Sequence, residues 1–388
     1  MVFHCRRNDP LAGARRIPAV ARLFTPVAAA ALAILSVVNV ALAAAATSWQ
    51  IGTDFRLPYA AAEIGLRDGW SHMYDPALQR AAVLALGHSD LYQPYINLPP
   101  WAFVVAPLTL ISYPAAYAIW VALMVACLVA AALLAAPPDR LIRVIYLGAA
   151  FGNLEVALGP GFGQASALVA LALIGCWRLL KADRPVLAGL VLAATSVKPH
   201  IALLVPFALL LAGHTRAFLY WAGATAVLAA ASLVALQPSG VQAYLSLLAT
   251  GPSYLVGLPA WTPAAMMGTA LGVPLEALLV AGAAAAAWLY RRQGPEVPIA
   301  VGIVATLAIV PYLHAQDFVV LVVAIWMLHR AQLGHLGSRA LAVFWVAAAI
   351  GIEWPPLMIA AEAALLGVLL YPAVVQRRSM LKSGAGEI

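Results

Sequence analysis

Ile51–Pro76, IGTDFRLPYAAAEIGLRDGWSHMYDP, carries four of the chain's fifteen acidic residues: Asp54, Glu63, Asp68 and Asp75. The run just before it, Phe24–Ala46 (FTPVAAAALAILSVVNVALAAAA), has no charged residue. A helix crossing the ~30 Å hydrocarbon layer needs about 20 apolar residues, and this run supplies them. It is longer than the apolar core of a signal peptide, so it reads as a retained span. The contrast decides the fold class. A polar segment emerges where the chain leaves a membrane, and Asp54, Arg56 and Tyr59 stand at that exit.

The rest of the 388 residues repeats the pattern, with 64% hydrophobic and only 10% charged residues. Soluble domains carry roughly 25% charged residues. The chain therefore reads as an all-α polytopic membrane protein, with no soluble stretch long enough for a core of its own. Three cysteines, Cys5, Cys127 and Cys176, are scattered and give neither a disulfide framework nor zinc spacing.

Charge placement orients the spans. Residues 1–23 form a basic tail with Arg6, Arg7, Arg15, Arg16 and Arg22, which the positive-inside rule puts in the cytoplasm. Residues 24–375 then form a single multi-span unit. Within it, 47–98 is the first extracytoplasmic loop and 237–274 the second, and 376–388 is a cytoplasmic tail. In the first loop, Leu57–Arg67 and Pro76–Leu86 read as short helices lying along the membrane surface. Trp101–Ala136, interrupted by Pro107 and Pro114, reads as a half-helix at the outer surface followed by an inward crossing. Leu141–Leu158 reads as one outward span ending at Gly159–Gln164. Val186–Ala212 is split by Ser196-Val-Lys-Pro-His200. Either each half crosses once with Lys198 outside, or one kinked helix holds Lys198 near mid-membrane, where a cation implies a function. About twelve crossings result, with both ends inside. Of 22 Lys and Arg, 18 then fall on the cytoplasmic side; the exceptions are Arg56, Arg67, Arg80 and Lys198. That asymmetry accounts for most of the +7 net charge without a nucleic-acid partner, for which no basic groove is visible.

The same topology gathers Asp54, Tyr59, Asp75, Tyr95, Asn97, Gln164, Lys198, His200, His314, Gln316 and Asp317 at the outer ends of spans. Acid, base and amide groups on one face suit a site that binds a polar headgroup and moves a proton. Glycosyl transfer to a hydroxyl needs a base for the acceptor's proton, a part open to Asp54. A lipid-phosphate leaving group needs cations and hydrogen-bond donors, which Lys198 and one or both of His200 and His314 could supply. Metal is not required if those cations do this work, and no close acidic pair suggests a cation clamp. Each residue also has a plainer reading. Asp54 and Asp75 could be helix caps, Lys198 could snorkel to the interface, and Gly163-Gln164 could be a turn with a capping amide. His314 and Asp317, three residues apart, could be an interfacial hydrogen-bonded pair.

The chain resembles glycosyltransferase family 87, the polyprenyl-phosphate-mannose-dependent mannosyltransferases of the GT-C superfamily. The resemblance lies in Gly52-Thr-Asp-Phe-Arg-Leu-Pro-Tyr59, Gly69, Tyr74-Asp-Pro76, Leu98-Pro-Pro-Trp101 with Ala106-Pro-Leu108, Gly163-Gln164, Lys198-Pro199 and Tyr312-Leu-His-Ala-Gln-Asp317. These run in order over about residues 20–375. Two positions depart from the family pattern: Leu98 stands where Tyr is usual, and Ala165-Ser166 where Asn is common. The resemblance implies a GT-C fold with an extracytoplasmic active site in the plasma (inner) membrane. It implies a polyprenyl-phosphate sugar donor, mannose specificity by family default, a glycolipid or polysaccharide acceptor, inversion at the sugar carbon, and no cofactor. It gives Asp54 the role of base, and Lys198 and His314 that of donor-phosphate ligands, beside His200 from the charge argument above. Arg56, Tyr59, Asn97, Gln164 and Asp317 become substrate-binding candidates. Two rival readings fit the same spans: a transporter or lipid flippase, for which the broken run at Lys198 speaks, and a non-catalytic scaffold.

Overall fold

The structure is a computed structural model that describes residues 19–48, 52–87, 93–250, 262–310, 315–333, 341–347 and 354–384. No strand occurs among the described residues. The first long helix, α1 (Ala19–Thr47), contains the uncharged run. The outer loop folds as α2 (Arg56–Arg67), a 3-10 turn over Trp70–His72 and α3 (Pro76–Ala85). Both short helices expected there form, and Asp75 caps α3 by accepting from the Ala77 and Leu78 amides at 2.8 and 3.0 Å. Next come α4 (Pro99–Val105), which runs on as a 3-10 turn to Leu110, and α5 (Tyr113–Ala135). A short helix followed by a long apolar one is the helix pattern expected of the Pro107 and Pro114 interruptions.

The expected single span Leu141–Leu158 is instead two helices, α6 (Arg140–Phe151) and α7 (Leu154–Phe162), bent by 68°. Asn153 causes the break. Its side chain accepts from the amides of Glu155 and Val156, ending one helix and starting the next. α7 also runs through Gly159 and Pro160, where the sequence had suggested a loop. α8 (Ser166–Lys181), α9 (Pro185–Leu192) and α10 (Val205–Leu211) follow, with 3-10 turns over Ala193–Val197 and Pro199–Ile201 in the break. Lys198 lies in that break with φ −146° and ψ 69°, because a residue before proline is pushed out of the helical region.

α11 (Thr215–Thr250) is interrupted at Gln237, with φ 58° and ψ 174°, where the second outer loop was expected to begin. The part after the break packs on the Trp70–His72 turn of the first outer loop, and Tyr244 meets Tyr74 at 4.6 Å between ring centroids. Further along come α12 (Pro263–Met267), α13 (Thr269–Leu289), α14 (Glu296–Ile309), α15 (Val319–Arg330), a helical stretch over 341–347, and α16 (Pro355–Gly384).

Two of them form the centre. α14 is buried from Glu296 to Ala308 and α15 from Val319 to Leu328, with no exposed face on either. A helix that is apolar all round belongs inside a bundle. α14 packs against α13, α15 and α10, and α15 also packs against α8. Among the described residues, four helices are long and apolar enough to cross a membrane: Thr25–Thr47, Tyr113–Ala135, Thr215–Thr250 and Thr269–Leu289. The bent pair α6 and α7 makes a fifth if it is one span. The chain is a membrane protein. α14, at about 1.5 Å per residue, spans only about 21 Å, so length and composition alone do not carry the count to about twelve.

Candidate active site

The first loop returns to the bundle through the turn at Gly52–Phe55. The amides of Asp54 and Phe55 both donate to the Phe162 carbonyl at the end of α7, at 3.0 and 3.2 Å. Three aromatic residues of α5 hold the other contacts. The Tyr113 hydroxyl donates to the Gly52 carbonyl at 3.1 Å, Tyr117 to Gly161 at 2.5 Å, and the Trp120 indole to Gly163 at 2.8 Å. Gly163 ends α7 in the left-handed region at φ +84°, and a Cβ there would stand 2.4 Å from the Phe55 Cβ. Gly52 has φ +67°, and a Cβ on it would meet the Tyr117 ring at 2.5 Å. Both positions therefore require glycine, for backbone and for space. The result is a half-buried Asp54 fixed by its own backbone rather than by a helix. Asp54 is not a helix cap: the residue ahead of α2 is Phe55, and no side chain caps that end.

From Asp54 a hydrogen-bonded chain runs inward. Gln164 Nε2 donates to Asp54 Oδ2 at 2.6 Å. Gln164 Oε1 accepts from Lys198 Nζ at 2.6 Å. Lys198 Nζ also reaches Ser166 Oγ at 3.2 Å and is paired with Asp317 Oδ1. Ser166 Oγ donates to the same Asp317 oxygen at 2.6 Å. His200 Nε2 lies 3.8 Å from Asp317 Oδ2. Gln164, Ser166, Lys198 and Asp317 are all buried, whereas the His200 side chain is 25% exposed. The cluster thus has a sealed middle and two reachable ends, Asp54 and His200.

The structure therefore brings together Asp54, Gln164, Lys198, His200 and Asp317 of the residues singled out from sequence. Gln164 is no turn-capping amide, and Lys198 does not snorkel, because its head is buried at 2% exposure. Tyr59 is spent on packing: it donates to the Ile111 carbonyl at 3.0 Å and meets Tyr113 edge-on. Arg56 is buried at the start of α2 beside Tyr113. Asn97 is half-buried and contributes its backbone carbonyl to the Tyr74 hydroxyl at 2.6 Å. Burial pushes that Tyr74 phenol well above its ordinary range, so it stays a hydrogen-bond donor. His314 lies outside the described residues. Sequence reasoning missed Ser166, Tyr113, Tyr117 and Trp120. Only Ser166 had a local signal, as the polar residue that opens α8 two positions after Gln164.

An open groove of about 510 Å³ runs between α1, α5 and α7. Its wall is apolar, through Val40, Ala44, Val121 and Val125, and it includes Tyr117 and Gly161, which adjoin the Asp54 turn. Among the described residues, no three His, Cys, Asp or Glu side chains are grouped to hold a metal ion.

Residues 95–311 match the profile of glycosyltransferase family 87. The matched stretch contains Asn97, Gln164, Lys198 and His200; Asp54, Arg56, Tyr59, His314 and Asp317 lie outside it. No curated protein and no solved structure matches the chain significantly.

Proposed function

The chain belongs to glycosyltransferase family 87, and from that membership we propose a specific reaction. The protein transfers a sugar, mannose by family default, from a polyprenyl-phosphate donor to a glycolipid or polysaccharide acceptor. Transfer takes place at the extracytoplasmic face of the plasma (inner) membrane. The fold is of the GT-C type, with about twelve crossings and both termini cytoplasmic.

The observation that carries this reading is the half-buried Asp54 carboxylate at the open end of the Gln164–Lys198–Asp317 chain. The acceptor hydroxyl attacks the anomeric carbon, and Asp54 takes its proton as the new bond forms. The bond from the anomeric carbon to the phosphate oxygen breaks on the opposite side, and the phosphate leaves with the electron pair. Configuration at that carbon inverts. His200 is reachable from outside and, when protonated, offers the departing phosphate a positive partner. The apolar groove beside the Asp54 turn suits an isoprenoid chain lying in the membrane.

The test is sugar transfer from radiolabelled polyprenyl-phosphate-mannose to native membrane lipids by the wild type and by Asp54→Asn. Loss of a general base costs about 10²–10⁴-fold, and the isosteric amide keeps the turn's backbone bonds. Wild-type turnover by Asp54→Asn would sink the base assignment. No labelled product from the wild type, across several polyprenyl-phosphate sugars and added acceptors, would sink the transfer reading.

A further inference from the structure

We propose that Lys198 is a positioning residue, which orients Gln164 towards Asp54 and makes no contact with the donor phosphate. This rests on the glycosyl-transfer reading above. The resemblance to the family had implied a phosphate ligand at this position, and the geometry points elsewhere.

An ammonium group has three N–H donors. Lys198 has three acceptors around it: Gln164 Oε1, Ser166 Oγ and Asp317 Oδ1. Its charge is answered by a carboxylate that is itself 1% exposed. A phosphate could reach this ammonium only by entering a closed pocket and displacing one of those partners. It would also have to approach Asp317. The His200 side chain, at 25% exposure, is not sealed in the same way.

The amide explains what the buried cation does instead. A glutamine side chain has one accepting end and one donating end. The Lys198 ammonium holds the Oε1 end at 2.6 Å, so the Nε2 end must face Asp54, which it meets at 2.6 Å. The reverse orientation would set oxygen against carboxylate and N–H against ammonium, a clash at both ends. Lys198 thereby decides, through one intervening residue, which atom Asp54 sees. Ser166 and Asp317 in turn hold Lys198 on the correct side of the amide. Gln164 thus holds one oxygen of the Asp54 carboxylate, and the other takes the acceptor's proton in this reading.

The experiment uses the purified full chain in detergent, with Lys198→Met, Gln164→Leu, the double variant and Gln164→Glu. For each, kcat and donor KM are measured, and decaprenyl phosphate binding is titrated separately. The expected result is a kcat loss of about 100-fold in each single variant, the scale of a misplaced catalytic group. The double variant should lie within about twofold of the worse single one, because both changes break the same chain. Gln164→Glu keeps an acceptor for Lys198 but loses the donor to Asp54, so it should fall with Gln164→Leu. Donor KM and the decaprenyl phosphate Kd should stay within about twofold of wild type throughout.

A rise of about tenfold or more in that Kd with Lys198→Met, or kcat losses that multiply in the double variant, would overturn the proposal. So would wild-type kcat in Gln164→Glu. If Lys198→Met does not fold, Lys198→Met/Asp317→Leu removes both buried charges and carries the same expectations. A wild type that transfers no sugar would instead defeat the functional reading, and the decaprenyl phosphate titration would still decide whether Lys198 binds phosphate.

Discussion

The Lys198–Asp317 pair makes a prediction about stability that is independent of any substrate. Both side chains are almost completely buried, at 2% and 1% exposure, and Ser166 bonds to both. Lys198→Met leaves a carboxylate in the bundle without its ammonium. Asp317→Leu leaves an ammonium without its carboxylate. Removing one partner of a buried ion pair costs about 3–5 kcal/mol, because the other charge stays desolvated. Replacing both is different. Lys198→Met/Asp317→Leu leaves no unpaired charge, and the main loss is the donor to Gln164 Oε1, an unsatisfied amide oxygen at about 1–3 kcal/mol. The two single losses sum to about 6–10 kcal/mol, so the double variant should be several kcal/mol more stable than additivity gives. At about 2 °C per kcal/mol, each single variant should unfold about 6–10 °C below wild type in detergent, and the double variant about 2–6 °C below. Thermal unfolding of the four proteins followed by tryptophan fluorescence checks this. Single variants that unfold within about 2 °C of wild type would refute the reasoning, because the pair would then not be buried and coupled as the geometry requires.

Two further outcomes follow from the turn and from the outer loop. Gly163→Ala puts a side chain where φ is +84° and the Phe55 Cβ is 2.4 Å away; the backbone term alone costs about 1–2 kcal/mol, and the displaced Asp54 turn should lower transfer about tenfold or more, as the radiolabel assay and unfolding temperature will read together. Asp75→Ala removes the α3 cap and should cost about 0.5–2 kcal/mol of stability with transfer per folded molecule unchanged, so lost turnover at full stability would show that Asp75 does more than cap.

The sequence made some of this legible and hid the rest for identifiable reasons. The α2 and α3 helices, the half-helix before α5 and the break at Gln237 could all be read, because proline and short-range polarity act locally. The split of Leu141–Leu158 at Asn153 could not, since a cap inside an apolar run looks like one tolerated polar residue. Asp54, Gln164, Lys198 and Asp317 were each suspected from their placement at outer helix ends. Their order along a hydrogen-bonded chain was not legible, because Gln164 and Asp54 are 110 positions apart and Lys198 and Asp317 are 119 apart. No periodicity encodes such pairings. Tyr59 shows a related limit: its motif position said nothing about whether its hydroxyl would meet a substrate or the Ile111 carbonyl.

The short and broken helices and the polar chain have one explanation. Asp54 lies in the turn after the first span, and Gln164 follows the left-handed end of α7. Lys198 sits where Pro199 stops the helix before it, and Asp317 occupies the 3-10 turn Ala315–Phe318 that leads into the buried helix α15. Each polar side chain stands where helical hydrogen bonding stops. At membrane depth, irregular backbone persists only where protein surrounds it or a cavity opens beside it. The central helices α14 and α15, buried on every side, provide that enclosure. Ending the helices short lets four distant segments turn their polar residues inward to a common point, with Asp54 and His200 left open at the surface.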